Sequence, residues 1–173
     1  MDTASSSTDV LVRRAEPRDA DALAELGRAV ASEDEGWLLT TGDWRSAGEE
    51  RRYLKAIRGY ENAAVLVAET DGRIVGRLSV ARDRHPASPH VADIGLMVAA
   101  DRRGEGIGAQ LLQAAVEWAR SAGVSKLELH VFTWNEPALR LYERFGFERE
   151  GLRRGQYRRG GEEVDVILMA YRL

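Results

Sequence analysis

The chain predicts an α/β protein built as a mixed sheet flanked by helices. Three observations carry this expectation: apolar–polar alternation over several short segments, helical periodicity between them, and a glycine-rich turn that joins one strand directly to a long helix. With 173 residues, 44% hydrophobic and 31% charged, the chain suits one domain able to bury a full core.

Residues 10–15, Val-Leu-Val-Arg-Arg-Ala, read as a first strand. Pro17 and Asp19 then start a helix running to about Ala31, with Leu23, Leu26 and Val30 on one face. Residues 32–48 are irregular and gather Glu33, Glu35, Trp37 and Trp44 in a loop. Such a loop can receive a cationic acceptor, or it is a solvated acidic surface. A second helix is expected over 49–59. Residues 64–70 and 73–80 around Asp71-Gly72 form the clearest hairpin in the chain. After a proline-containing loop at 84–89, residues 90–98 alternate between two faces as a strand.

A helix follows over 107–121, where Ile107, Leu111, Leu112, Ala115 and Ala119 share a face and Ala122-Gly123 is the stop. A strand at 126–132, a short helix at 135–145 and two strands at 147–157 and 164–171 around Gly160-Gly161 complete the chain. Residues 1–9 lack the basic and apolar regions of a signal peptide and read as a flexible tail, leaving 10–173 as a single domain in the cytoplasm.

The net charge of −3 gives no general attraction for nucleic acid or an anionic membrane, so any phosphate binding must be local. The chain has no cysteine, which removes disulfides, thiolate nucleophiles and cysteine zinc sites. No metal site is expected.

The segment Val98-Ala-Ala-Asp-Arg-Arg-Gly-Glu-Gly-Ile-Gly108 reads as a built anion site. Its three glycines at alternate positions let backbone N–H groups approach a ligand where a Cβ would block it. The helix that follows adds free N–H groups and a partial positive charge, and Arg102 and Arg103 can add charge-assisted hydrogen bonds to phosphate. The expected ligand is a diphosphate. Gly104 to Ala109 also matches the dinucleotide fingerprint G-x-G-x-x-[GA]. Asp101-Arg102-Arg103 intervene after the strand, however, and Glu128 stands near the start of its strand, both against a nicotinamide or flavin enzyme. No Gly-Lys-Ser/Thr follows, so a Walker A loop is excluded.

From about Val10 to Leu173 these pieces resemble the GNAT superfamily of N-acetyltransferases. Arg103-Gly104-Glu105-Gly106-Ile107-Gly108 fits that family's R/Q-x-x-G-x-G/A loop, and Asn135-x-x-Ala138-x-x-x-Tyr142-x-x-x-Gly146-Phe147 fits its second signature, about 30 residues on. The resemblance implies a mostly antiparallel sheet of six or seven strands with one splayed parallel pair, flanked by about four helices. It further implies that acetyl-CoA is bound by Arg103, Gly104, Gly106, Ile107, Gly108 and Ala109 at its pyrophosphate, and by Leu96, Met97 and Val98 along the pantetheine arm. Asn135, Ala138 and Tyr142, at i, i+3 and i+7, line the helix face beside the thioester.

By the same resemblance, Tyr142 donates a proton to the departing CoA sulfur and a backbone N–H in the splayed strand, that of Val98, polarises the thioester carbonyl. Asp93 is the candidate base for the amine, directly or through water; the same carboxylate equally suits a salt bridge at the sheet end. His90 and His130 are alternatives. The last strands look like those of ribosomal-protein and polyamine acetyltransferases. They leave a protein N-terminus, a polyamine or an amino-acid-like small molecule open as acceptor. Family members often pair through these strands, which implies a homodimer. A non-catalytic acyl-CoA-binding module is the competing reading.

Overall fold

The computed structural model describes residues 9–39 and 43–173. The expected tail lies outside the described residues except for Asp9, as do Thr40, Thr41 and Gly42 of the acid- and tryptophan-rich loop. Strands β1 (Leu11–Arg14), β2 (Ala63–Thr70), β3 (Arg73–Arg82), β4 (Val91–Val98), β5 (Lys126–Phe132), β6 (Glu148–Arg159) and β7 (Glu162–Arg172) form one sheet. Its order is β1-β2-β3-β4-β5-β7-β6, antiparallel throughout except between β4 and β5. Helices α1 (Ala20–Ala31), α2 (Ala47–Ile57), α3 (Ile107–Ala122) and α4 (Glu136–Phe145) cover it, with 3₁₀ turns at Pro17–Asp19 and Ala100–Arg102. Among the described residues no helix is long and apolar enough to cross a membrane.

Local chemistry sets the boundaries. α2 begins at Ala47, two residues before the apolar pattern does, because Ser46 caps it: the Ser46 hydroxyl accepts from the Glu49 N–H and the Glu49 carboxylate accepts from the Ser46 N–H at 2.8 Å. Ahead of α1, Asp19 is buried and accepts from Arg13 at 2.8 and 2.9 Å and from the Glu16 N–H at 2.7 Å. Arg13 also reaches Glu69 on β2, so one guanidinium ties the first strand, the first helix and the second strand together. The last hairpin extends beyond its apolar alternation, to Arg159 and from Glu162, closing on Gly160 and Gly161 at φ of +54° and +87°.

Two adjacent β3 residues show which helices lie on which face. A Cβ on Gly76 would stand 3.2 Å from Ile107 and 2.9 Å from Leu111, so this face carries α3. Arg77 points the other way and pairs with Glu50 of α2. Val98, Leu96, Ile94 and Ala92 share the α3 face, while Met97, Gly95, Asp93 and Ser79 share that of Arg77. Leu78, Leu111, Leu112, Leu127 and Met169 are fully buried between sheet and helices.

Only Val91, Ala92 and Asp93 of β4 pair with β5, opposite Lys126, Leu127 and Glu128. Residues 94–98 then part from it and leave backbone N–H and C=O groups unpaired on that side. This is the splayed parallel pair that the resemblance implied.

Candidate active site

A cleft of about 660 Å³ enters at the splay. It is lined by Leu96, Met97 and Val98 of β4, by Arg103, Gly104, Gly106, Ile107, Gly108 and Ala109 of the glycine loop and α3, and by Asn135, Ala138 and Tyr142 of α4. Residues from three separate stretches of the chain thus meet in one cavity. Asp93 is not among its walls: it sits deeper along β4, where the two strands are still paired, facing solvent on the Arg77 side.

The glycine loop is arranged for an anion. Gly104 and Gly106 hold φ of +80° and +81°, where only glycine is unstrained, and nothing lies within 4 Å of where either Cβ would stand. α3 starts at Gly106 with no side-chain cap and no acid in its first turn, whereas Ser46 and Asn135 cap α2 and α4. Its leading N–H groups and positive dipole end are left for a ligand. Gly108 differs from the other two. It is helical and buried, and a Cβ there would come within 2.8 Å of Leu141 Cδ2, so its small size serves the packing of α3 on α4.

The two arginines before the loop are held by protein groups. Arg102 donates to Glu105 and to Thr70 Oγ1, both at 2.9 Å. Arg103 donates to the Val98 carbonyl at 3.0 Å and grips both oxygens of Glu33 at 2.6 and 2.7 Å. Glu33 also accepts from Trp37 Nε1 at 2.9 Å, and the segment after it is held to the far side of the sheet by Trp134 donating to the Glu35 carbonyl and Arg159 donating to those of Gly36 and Leu38. Residues 33–39 of the acid- and tryptophan-rich loop are therefore a strap along the cleft wall.

On α4, Asn135 Oδ1 accepts the Ala138 N–H at 3.2 Å and caps the helix, leaving its amide nitrogen for the cleft. Tyr142 is 6% exposed, packs against Phe147 and makes no hydroxyl hydrogen bond among the described residues. Burial raises its phenol above the ordinary value, so it stays protonated through neutral pH. The Asp93 carboxyl is raised too, by desolvation and by the facing Glu128, with Asp83 adding and Arg153 and Lys126 opposing. His130 lines the cleft with Nδ1 2.9 Å from the Tyr157 hydroxyl, and burial with the nearby Arg153 lowers its pKa. His90 lies outside the cleft, just before β4.

The sequence reading missed Arg45, Glu50, Arg77 and Ser79. Arg45, Arg77 and Ser79 line the far end of the cleft, and Glu50 stands behind the two arginines. The available signal was a charge at Arg77 in the middle of an otherwise apolar strand. Among the described residues no three His, Asp or Glu side chains converge as metal ligands.

The chain is 30% identical to the L-amino acid N-acetyltransferase AaaT of Escherichia coli K12 over 94% of its length and 98% of that protein's. It is 33% identical to the N-alpha-acetyltransferase RimI of Mycobacterium tuberculosis over 84% of this chain and 83% of that one. Among solved structures, an acetyltransferase of the GNAT family from Streptococcus pneumoniae superposes with a TM-score of 0.84 at 30% identity, covering 95% of this chain and 99% of that one. The fold is also that of yncA from Salmonella typhimurium, solved with its cofactor acetyl-CoA (TM-score 0.83, 20% identity, 95% and 94% covered). The model of the acetyltransferase (GNAT) family matches residues 32–147, more than half of the chain. By that match the chain belongs to the GNAT family of N-acetyltransferases, whose acetyl donor is acetyl-CoA.

Proposed function

We propose that the protein moves the acetyl group of acetyl-CoA to a primary amine by direct attack within a ternary complex. The observation that supports this most is the meeting, in one cleft, of the open β4 edge at 94–98, the uncapped start of α3 and the Tyr142 face of α4. Pantetheine carries amides much like a peptide and extends the open edge by main-chain bonds. Its pyrophosphate then reaches the N–H groups of 106–109. The amine nitrogen attacks the thioester carbon, a C–N bond forms as the C–S bond breaks, and Tyr142 gives its proton to the leaving sulfur. Asp93, directly or through water, takes one proton from the ammonium before attack, and the second proton on nitrogen passes back to Tyr142 as the amide forms.

His130 is a second reading for the base, favoured by its place in the cleft wall. With Nδ1–H donating to the Tyr157 oxygen, Nε2 presents a lone pair, and the lowered pKa keeps that lone pair available at neutral pH. The relatives' names are those of an L-amino acid N-acetyltransferase and an N-alpha-acetyltransferase. We further propose a cytoplasmic homodimer using the last hairpin, where β6 is an edge strand and Leu152 is exposed. Release of free thiol from acetyl-CoA with a panel of amines and peptides tests the activity; a protein that binds acetyl-CoA and turns over with none of them is a binding module instead. A monomer mass by light scattering removes the dimer.

A further inference from the structure

The far end of the cleft holds a loosely bonded buried ion pair with a second, exposed guanidinium beside it. Arg77 is 5% exposed and Glu50 is fully buried, and the Arg77 Nη2 to Glu50 Oε1 distance is 3.3 Å. Arg45 approaches the other oxygen of Glu50 at 3.6 Å. Both distances exceed the 2.7–2.9 Å of a well-made charge-assisted bond. Arg77 Nε and Glu50 Oε2 are buried with no hydrogen-bond partner. Glu50 is the one carboxylate paired with either guanidinium among the described residues, so two positive charges, Arg77 buried and Arg45 reaching solvent, face one negative charge. Trp44 orients both arginines: its ring lies on Gly27 of α1, with the Arg45 and Arg77 guanidinium carbons 5.7 and 5.5 Å from its centroid.

We propose, building on the acetyltransferase reading, that this end of the cleft receives the carboxylate of the acceptor, and that the acceptor is a free α-amino acid. An anion here completes the charge balance and meets the under-bonded Arg77 and Arg45. The CoA diphosphate does not supply it, because the N–H groups for that group lie at α3, on the opposite face of the sheet from Arg77. The sheet geometry places Arg77 and Ser79 on one face beside the open edge. Arg77 sits opposite Met97, and Ser79 opposite Gly95, two residues or about 7 Å further along the strand and beside the splay. An α-amine stands one carbon from its carboxylate, so a carboxylate held by Arg77 keeps the amine on this same face, between the two rows. Trp37, Leu38 and Leu39 give the adjoining wall an apolar surface for the side chain. A polyamine would place cations against two arginines, and a protein N-terminus carries an uncharged amide where the carboxylate would be.

The experiment compares the twenty L-amino acids with their amides, their decarboxylated amines and short peptides, by free-thiol release at saturating acetyl-CoA. One or more apolar amino acids are expected to exceed the matching amide and amine in kcat/KM by about 10–100-fold, the worth of a charge-assisted hydrogen bond. Arg77→Gln and Arg45→Gln should each collapse that ratio toward one. Arg45 is exposed, so its variant reports even if Arg77→Gln fails to fold. Equal use of acid and amide, preference for an uncharged amine or a peptide, or turnover with no free amino acid overturns the proposal while leaving a transferase in place. Failure of acetyl-CoA to bind overturns the acetyltransferase reading beneath it.

Discussion

Arg103 and Glu33 form a two-pronged ion pair, at 2.6 and 2.7 Å, that joins the glycine loop to the strap along the cleft wall. The guanidinium that the sequence directs to phosphate is thus held by a carboxylate 70 residues earlier in the chain. If the diphosphate takes Arg103 as the resemblance implies, it competes with Glu33 for one cation, and acetyl-CoA binding then carries the cost of breaking the pair. Glu33→Gln is expected to tighten acetyl-CoA by about 2–5-fold, equivalent to the ~0.5–1 kcal/mol of a partly exposed pair. Calorimetry reads this directly; unchanged or weaker binding would mean that Arg103 stays with the strap when the cofactor is bound.

Gly106→Val separates ligand approach from folding. Nothing lies within 4 Å of the added Cβ, so the fold should survive with the ~1–2 kcal/mol strain of a left-handed residue. The side chain then stands where the diphosphate approaches, and the thermal stabilisation given by acetyl-CoA should vanish. A folded variant that binds acetyl-CoA normally refutes the assignment of this loop.

Tyr142→Phe removes one hydroxyl from a ring packed on Phe147. Acetyl-CoA affinity should hold while kcat falls by about 10²–10⁴-fold, the range of general acid catalysis. Full kcat under conditions where chemistry limits turnover would leave Tyr142 with a packing role alone.

Asp93 offers opposite signs for rate and stability. Its folded pKa lies above its unfolded one, so its contribution favours the fold below the unfolded value and is lost as pH rises through the folded value. At neutral pH the ionised carboxylate faces Glu128 at a net cost, and Asp93→Asn should raise Tm there with little change at acid pH. The same variant should lower kcat/KM, most strongly at low pH. If activity is unchanged and His130→Gln abolishes it, the base is His130.

Glu50→Gln leaves the buried Arg77 and the exposed Arg45 facing no carboxylate. Losing one partner of a buried pair costs about 3–5 kcal/mol, so chemical denaturation should show a large loss of stability. Added free amino acid should restore part of it if the receptor proposed above is correct; restoration by the matching amide as well would argue against that receptor.

The parts of this protein legible in its sequence are those whose physics is local. The turn at Gly104 and Gly106, the start of α3, the hairpin at Asp71-Gly72 and the face shared by Asn135, Ala138 and Tyr142 all follow from residues within a few positions of one another. Local chemistry was incomplete at its margins: Gly108 fits the anion motif by spacing and also leaves room for Leu141, and the cap at Ser46 lies outside the apolar period of α2. The tertiary structure alone decided the partners of charge. Arg103 meets Glu33, and Arg77 meets Glu50, only because the fold carries distant elements together, and Arg77 faces α2 while neighbouring Gly76 faces α3. Periodicity shows that a strand has two faces, but the packing of helices on each face determines which charge finds an opposite and which is left for a ligand.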